Sequence, residues 1–243
     1  MRPRPQQLTE TTPMKQASVR DRFKSLFGYV KALLIGHYRS LLLLLLLGVF
    51  FPLQIFGELA EEVWENEGGF PWDEPILLGI HATATPQLDT FASYLTQLGV
   101  GWGVAPASIV IALVLWRRHH WRSLVYFLTT LIGSAIINVS AKLLLQRVRP
   151  NLWESPAPEY DYGFPSGHAM SSMTFVAALV ILLWGSRWNW LVAALGGLFV
   201  LAIGWTRLYL GVHYPSDIVA GWLASIAWAV GVALLIKPRL LKN

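Results

Sequence analysis

The stretch SLLLLLLLGVFFPLQIFG, Ser40–Gly57, holds no charged side chain. A helix needs roughly 17–25 such residues to cross a hydrocarbon layer about 30 Å thick. Five further runs of similar character follow, from Leu98 to Trp116, Ser123 to Leu145, Gly167 to Trp184, Trp190 to Thr206 and Ile218 to Ile236. All are continuously apolar and do not alternate, which favours helices over barrel strands. The expected fold is all-α and polytopic, with six transmembrane helices and short interfacial helices.

Composition agrees, since 54% of the 243 residues are hydrophobic and only 14% are charged, unlike an average soluble domain. There is no cysteine, which excludes a disulfide framework and a thiolate metal site. The net charge of +5 would suit nucleic acid only as a basic stripe on a soluble surface. Here the charges punctuate apolar runs, so no nucleic-acid partner is expected and the bilayer is.

Ahead of the first run, Val19, Phe23, Leu26, Phe27, Val30, Leu33 and Leu34 recur at helical spacing among Arg20, Arg22, Lys24 and Lys31, as in a helix lying on a membrane surface or, alternatively, a short cytosolic helix packed on the bundle. Residues 1–39 are thus expected to form a basic cytoplasmic segment and 40–243 the six-span domain. No small-residue cleavage site precedes the first run, so it is expected to be a retained anchor. Leu88, Phe91 and Leu95 form a second short amphipathic pattern.

The basic residues give a topology. Eight precede the first run; Arg117, Arg118, Arg122, Arg187, Lys237, Arg239 and Lys242 fall on the same side of one consistent threading. That side is expected to be cytoplasmic, with both termini, in the plasma membrane of a bacterium. Lys142, Arg147, Arg149 and Arg207 break the rule on the opposite side, which also carries the acidic segment Glu58–Asp89. Each of the four needs a local reason.

Three segments on that outer side hold the chemistry: KLLLQRVRP (Lys142–Pro150), PSGH (Pro165–His168) and TRLYLGVHYPSD (Thr206–Asp217). On a continuing helix Lys142 and Arg149 would share a face two turns apart. Lys142, Arg149 and Arg207 together are costly near a low-dielectric interface unless they meet an anion, and guanidinium forks match phosphate oxygens. In the second segment Pro165 can open a helix, Ser166 can offer a hydroxyl and Gly167 lets backbone approach, so the helix N-terminus forms half a phosphate cradle. His168 stands at its edge, able to donate to a leaving oxygen. In the third, His213 and Asp217 are spaced i, i+4, and a carboxylate on one imidazole nitrogen raises the basicity of the other. His213 is therefore the better nucleophile.

These residues resemble the type-2 phosphatidic acid phosphatase superfamily, which includes membrane lipid phosphatases and soluble vanadium-dependent haloperoxidases. Its signatures K-x(6)-R-P, P-S-G-H and S-R-x(5)-H-x(3)-D match Lys142–Pro150, Pro165–His168 and Thr206–Asp217, with Thr206 in place of the usual Ser. The resemblance implies a two-step hydrolysis of a membrane lipid phosphate such as undecaprenyl diphosphate, phosphatidylglycerol phosphate or phosphatidic acid. His213, supported by Asp217, would attack phosphorus and form a phosphohistidine; His168 would protonate the leaving oxygen and then activate water. Lys142, Arg149, Arg207, Ser166 and Gly167 would bind the phosphate, with no metal and no cofactor. A lipid-phosphate binder or transporter that does not hydrolyse would be expected to lack His168, His213 or Asp217, and all three are present. Nothing in the pattern bears on oligomeric state.

Outside the motifs, Arg147 is expected to meet lipid headgroups or solvent; for Glu159 and Asp161 a solvated loop is the default reading, with guiding a ligand or pairing with Arg147 as the alternatives. Ala193, Gly197 and Gly204 read as close helix packing.

Overall fold

The computed structural model describes residues 39–65 and 69–241. The surface helix expected over Val19–Leu34 lies outside them. The chain divides into Met1–Leu42 and Leu43–Asn243, and of the elements below all but residues 39–42 of the first helix belong to the second unit.

Eight helices are found among the described residues: α1 (Arg39–Glu65), α2 (Asp73–His81), α3 (Pro86–Gln97), α4 (Val104–Arg117), α5 (Trp121–Leu145), α6 (Gly167–Leu182), α7 (Asn189–Tyr209) and α8 (Pro215–Ile236). The fold is all-α and polytopic, but the expected six spans are corrected to four. Only α1, α5, α7 and α8 are long and apolar enough to cross a membrane. At 14 and 16 residues, α4 and α6 reach only about 21 and 24 Å at 1.5 Å per residue.

Both shortfalls have visible causes. Leu98–Gly103 reads LGVGWG, and a glycine at every second position breaks the helix into turns, so α4 begins only after Gly103. At the other helix, α6 stops at Leu182 and the chain turns through Gly185 at φ +79°.

Within α1 the five residues Leu46–Phe50 form a π-helical turn. Pro52 has no N–H to give to the Gly48 carbonyl, and the Phe51 N–H reaches back to the Leu46 carbonyl, so the ladder widens there. Gly48 also lets α1 close on α8, since a Cβ at this position would stand 2.9 Å from Val230 Cγ1.

The helix α6 is the hub, packed against α5, α7 and α8. One core cluster (Leu115, Tyr126, Phe127, Ala178, Leu182, Val232) lies at the end where α4 finishes and α5 begins. There the Arg122 guanidinium donates to the Ile236 carbonyl and the Leu241 N–H to the Leu182 carbonyl, which ties down the tail after α8. Two further clusters, Leu59/Val63/Phe164/Ala220 and Ala92/Tyr209/Leu210/Val212, brace the opposite end.

Helices are also joined by polar side chains inside the bundle: Ser134 bonds Thr174 at 2.8 Å, Trp228 Nε1 donates to the Thr130 carbonyl, and Ser225 to the Met170 carbonyl. Outward, Ile132, Ile136, Val139 and Leu143 form an exposed apolar stripe along α5, as a lipid-facing helix requires. Of the small residues read as packing in α7, Gly204 lies so close to Trp222 that a Cβ would stand only 2.7 Å from its ring, whereas Gly197 has nothing within 4 Å.

Candidate active site

Four local structures bring the site together at the end of the bundle braced by Phe164 and Val212. Gln146 adopts a left-handed conformation (φ +46°) and ends α5 directly after Leu145. Lys142 therefore stays on the helix while Arg149 leaves it, and the two meet through a loop rather than along one helical face. Ser166 caps α6, accepting from the Ala169 N–H at 3.5 Å, and its own N–H donates to the Asp217 carbonyl at 3.1 Å. Asn138 of α5 fixes the cradle by donating to the Pro165 carbonyl at 2.9 Å. A Cβ on Gly167 would stand 3.2 Å from the Asn138 Oδ1, and one on Gly221 of α8 3.1 Å from the Ser166 carbonyl, so both glycines permit this approach. The fourth structure is the start of α8, where Pro215 opens the helix and Asp217 accepts from the Tyr214 N–H at 2.9 Å.

His213 is completely buried. Its Nδ1 lies 3.2 Å from Asp217 Oδ2, and its Nε2 lies 2.9 Å from Arg149 Nη1. A carboxylate only accepts and a guanidinium only donates, so the proton is on Nδ1 and Nε2 presents its lone pair. His168 is placed across from it at the first turn of α6. The structure thus gathers His168, His213 and Asp217 with Lys142, Arg149, Arg207, Ser166 and Gly167, the eight residues singled out in the sequence. Thr206 is turned away, its hydroxyl donating to the Ile203 carbonyl of its own helix.

Two loop carboxylates expected to be solvated sit instead among the cations. Glu159 pairs with Arg207 Nη2 and, at 2.7 Å, with Arg149 Nη2; it lies 3.8 Å from His168 Nδ1 and 3.9 Å from His213 Nε2. Asp161 pairs with Lys142 at 2.5 Å and with Arg149.

Arg147 is likewise not at the headgroups: it is buried, donating to Asp217 Oδ1 at 2.5 Å, to Ser216 Oγ at 2.7 Å and to Asp73 Oδ2 at 2.7 Å, with Tyr214 under its guanidinium. Asp73, fully buried at the start of α2, also accepts the Ser216 N–H and hydroxyl. Sequence reasoning passed over Asp73 and Asn138, and also Thr96, which accepts from Arg207 Nη1 at 2.8 Å. For Asn138 a signal existed, an amide in the middle of an apolar run; for Asp73 and Thr96 there was none.

The charge balance sets the protonation states. Burial, then the nearby Arg207, depresses His168 to about 3, with Glu159 opposing. Burial, with Arg149 and Arg207, also holds His213 well below the ordinary imidazole value. Both imidazoles are therefore neutral at pH 7. Burial pushes the Glu159 carboxyl up, but Arg207 and Arg149, beside the two histidines, bring it down to about 2. With the imidazoles neutral, the guanidinium groups carry that shift.

A stability profile follows. Between about 3 and the ordinary imidazole value of 6.5, the unfolded chain binds a proton at His168 that the folded chain refuses, and below that ordinary value the buried His213 refuses one in the same way. Stability must then fall as pH drops below about 6.5, and the depressed Glu159 and Asp161 carboxyls deepen the loss below about 4.5. Melting temperature in detergent is expected to decline steadily from pH 7 to pH 4; a flat profile would show that the folded protein holds charged imidazoles.

A cavity of about 570 Å³ leads to the site between α4, α5 and α6. It is polar at one end, with Lys142, Glu159, Asp161 and His168, and becomes apolar past Val104, Leu131 and Ile132, though Ser108, Asn138 and Thr174 also line it. Among the described residues no group of three or more His, Asp or Glu side chains is placed to hold a metal ion.

Residues 123–240 match the model of the PAP2 superfamily. Lipid A 4'-phosphatase of Bacteroides thetaiotaomicron is 32% identical over 164 residues, covering 61% of this chain and 70% of that protein. Undecaprenyl-diphosphatase of Sulfolobus acidocaldarius is 28% identical over 192 residues, covering 77% and 85%. In fold, the chain is similar to the crystal structure of a transmembrane PAP2 type phosphatidylglycerolphosphate phosphatase from Bacillus subtilis, with a TM-score of 0.69 at 23% identity over 77% of this chain and 95% of that one.

Proposed function

This chain belongs to the PAP2 superfamily, in its membrane lipid phosphatase branch, and from that premise we propose that it hydrolyses a phosphomonoester or terminal diphosphate of a membrane lipid through a phosphohistidine. The observation that carries this reading is His213 Nε2, oriented through Asp217 on Nδ1 and set 2.9 Å from Arg149, which together with Arg207 already holds a carboxylate.

In the first step the Nε2 lone pair forms a bond to phosphorus as the bond to the leaving oxygen breaks, and His168 gives that oxygen its proton. His168 is neutral in the resting site. A phosphate dianion arriving beside it raises its proton affinity, so the acid is loaded by substrate binding. In the second step water attacks phosphorus, its proton passes to His168, and orthophosphate leaves with His213 restored. Lys142, Arg149, Arg207, the Ser166 hydroxyl and the Gly167 N–H stabilise the equatorial oxygens, a task that metal ions perform in other phosphoryl transfers. The lipid chain lies in the cavity between α4, α5 and α6.

The charged end of the bundle supports an orientation. Arg117, Arg118, Arg122, Arg187, Lys237 and Arg239 sit opposite the site, and the positive-inside rule on these residues supports the reading that their end is cytoplasmic and the site outside.

The test is orthophosphate release by the purified protein, with chelator present, from undecaprenyl diphosphate, phosphatidylglycerol phosphate and phosphatidic acid. Release from at least one is expected, and the ranking of rates identifies the substrate. Loss of release on chelation would overturn the metal-free chemistry. In sealed right-side-out vesicles, vanadate added outside is expected to stop the reaction; protection from it would reverse the orientation.

A further inference from the structure

The phosphoryl site holds an anion that the chain itself supplies. Glu159 engages Arg149 and Arg207 and stands within 4 Å of both histidines, while Asp161 engages Lys142 and shares Arg149 Nη2 with Glu159. Exposure is one-sided: the carboxylate side chains are 27% and 59% exposed, the three cations between 2% and 11%. Lys142 and Arg207 are fixed on helices and Arg149 is tied to the Val212 carbonyl, and the carboxylates reach them from the solvent side on a stretch whose intervening residue, Tyr160, is 95% exposed. The anions are the half of the site that is able to withdraw.

Resting on the phosphatase reading above, we propose that Glu159 is a specificity-determining residue: a tethered carboxylate that a doubly charged terminal phosphate displaces and a singly charged phosphodiester does not. The chemical reason is a matched exchange. A phosphodiester brings one negative charge and two free oxygens, the same as the carboxylate it would replace, and it lacks the tether, which gives Glu159 an effective concentration on the order of millimolar. A terminal phosphate brings a second charge and a third oxygen, which Lys142, Ser166 and the Gly167 N–H are placed to receive.

The discrimination has a purpose in a membrane, where phosphodiester headgroups surround the protein in vast excess over any lipid phosphomonoester. Three bare cations at the end of a lipid-accessible cavity would be filled by those headgroups. Glu159 stays ionised down to about pH 2, so the filter operates over the whole physiological range.

The experiment is calorimetric binding of orthophosphate and of dimethyl phosphate at pH 8 to the full-length protein in detergent, for wild type, Glu159→Gln and Glu154→Gln. Glu154 is an exposed carboxylate of the same loop and controls for general loss of loop charge. Wild type is expected to prefer orthophosphate by at least about tenfold. Glu159→Gln is expected to tighten dimethyl phosphate by on the order of tenfold and orthophosphate by less, so that the preference collapses, while Glu154→Gln keeps the wild-type ratio. An unchanged ratio in Glu159→Gln, weaker binding of both anions, or no anion binding by wild type would each overturn the proposal. Should Glu159→Gln fail to fold, Glu159→Asp shortens the reach by one methylene and reads the same ratio. The filter stands or falls separately from the phosphatase reading: the expected ratios without phosphate release from any lipid would remove the reaction and leave the filter.

Discussion

His213→Ala is expected to lower lipid dephosphorylation by about ten-thousand-fold or more, while binding of vanadate persists. The separation follows from where the charge lies. Lys142 and Arg207 come to the site from the end of α5 and from α7, and Arg149, which loses its contact to the imidazole, stays tied to the Val212 carbonyl. Removing the nucleophile therefore removes bond formation and leaves the anion site. Nor does another side chain take its place. His168, the other imidazole at the site, lies on α6, across the resident carboxylate and away from Asp217. Single-turnover phosphate release beside vanadate titration measures both halves. A rate within tenfold of wild type would defeat the nucleophile assignment, and loss of vanadate binding together with activity would mean that the substitution had collapsed the site.

Arg147→Ala is expected to have the largest effect on stability, about 3–5 kcal/mol, because it leaves Asp73 and Asp217 buried without their shared cation. Turnover should fall with it and KM change little. Asp217 holds His213 in its tautomer with one oxygen and is held by Arg147 through the other, so Arg147 acts on the reaction only through that orientation. Pairing Arg147→Met with Asp73→Asn removes a cation and an anion together and should recover much of the stability but not the turnover. Unfolding in detergent and steady-state kinetics on the single and double variants distinguish the two. If the double variant recovers turnover as well, Arg147 is a structural residue only.

What the sequence made legible divides along a physical line. The three motifs could be read because each is contiguous: a cap, a glycine and an i, i+4 pair are set by local backbone, and their convergence needed only that helices end on one side. The ion pairs of Glu159 and Asp161 depend on the path of a loop with no periodicity, and Asp73 meets Asp217 from 144 residues away through Arg147 and Ser216. No local pattern announces such contacts. Arg147 did carry a signal, since it broke the charge rule, but a buried ion pair and a headgroup contact look alike in a sequence. The span count failed differently: hydropathy tallies apolar residues whether or not they are helical, and LGVGWG is apolar without being helix.

The short hub helix has a consequence of depth. Trp184 and Trp188, both exposed just beyond the end of α6, anchor that end at the water interface. Sixteen residues later the helix has climbed only about 24 Å, about 6 Å less than the hydrocarbon around it. With that end at the water interface, the Ser166–Gly167 tip of the helix would lie beneath the plane in which lipid phosphates normally float. For the hydrolysis proposed above, a lipid phosphate would have to dip to meet the buried guanidinium groups, and the water that completes the reaction would have to descend after it.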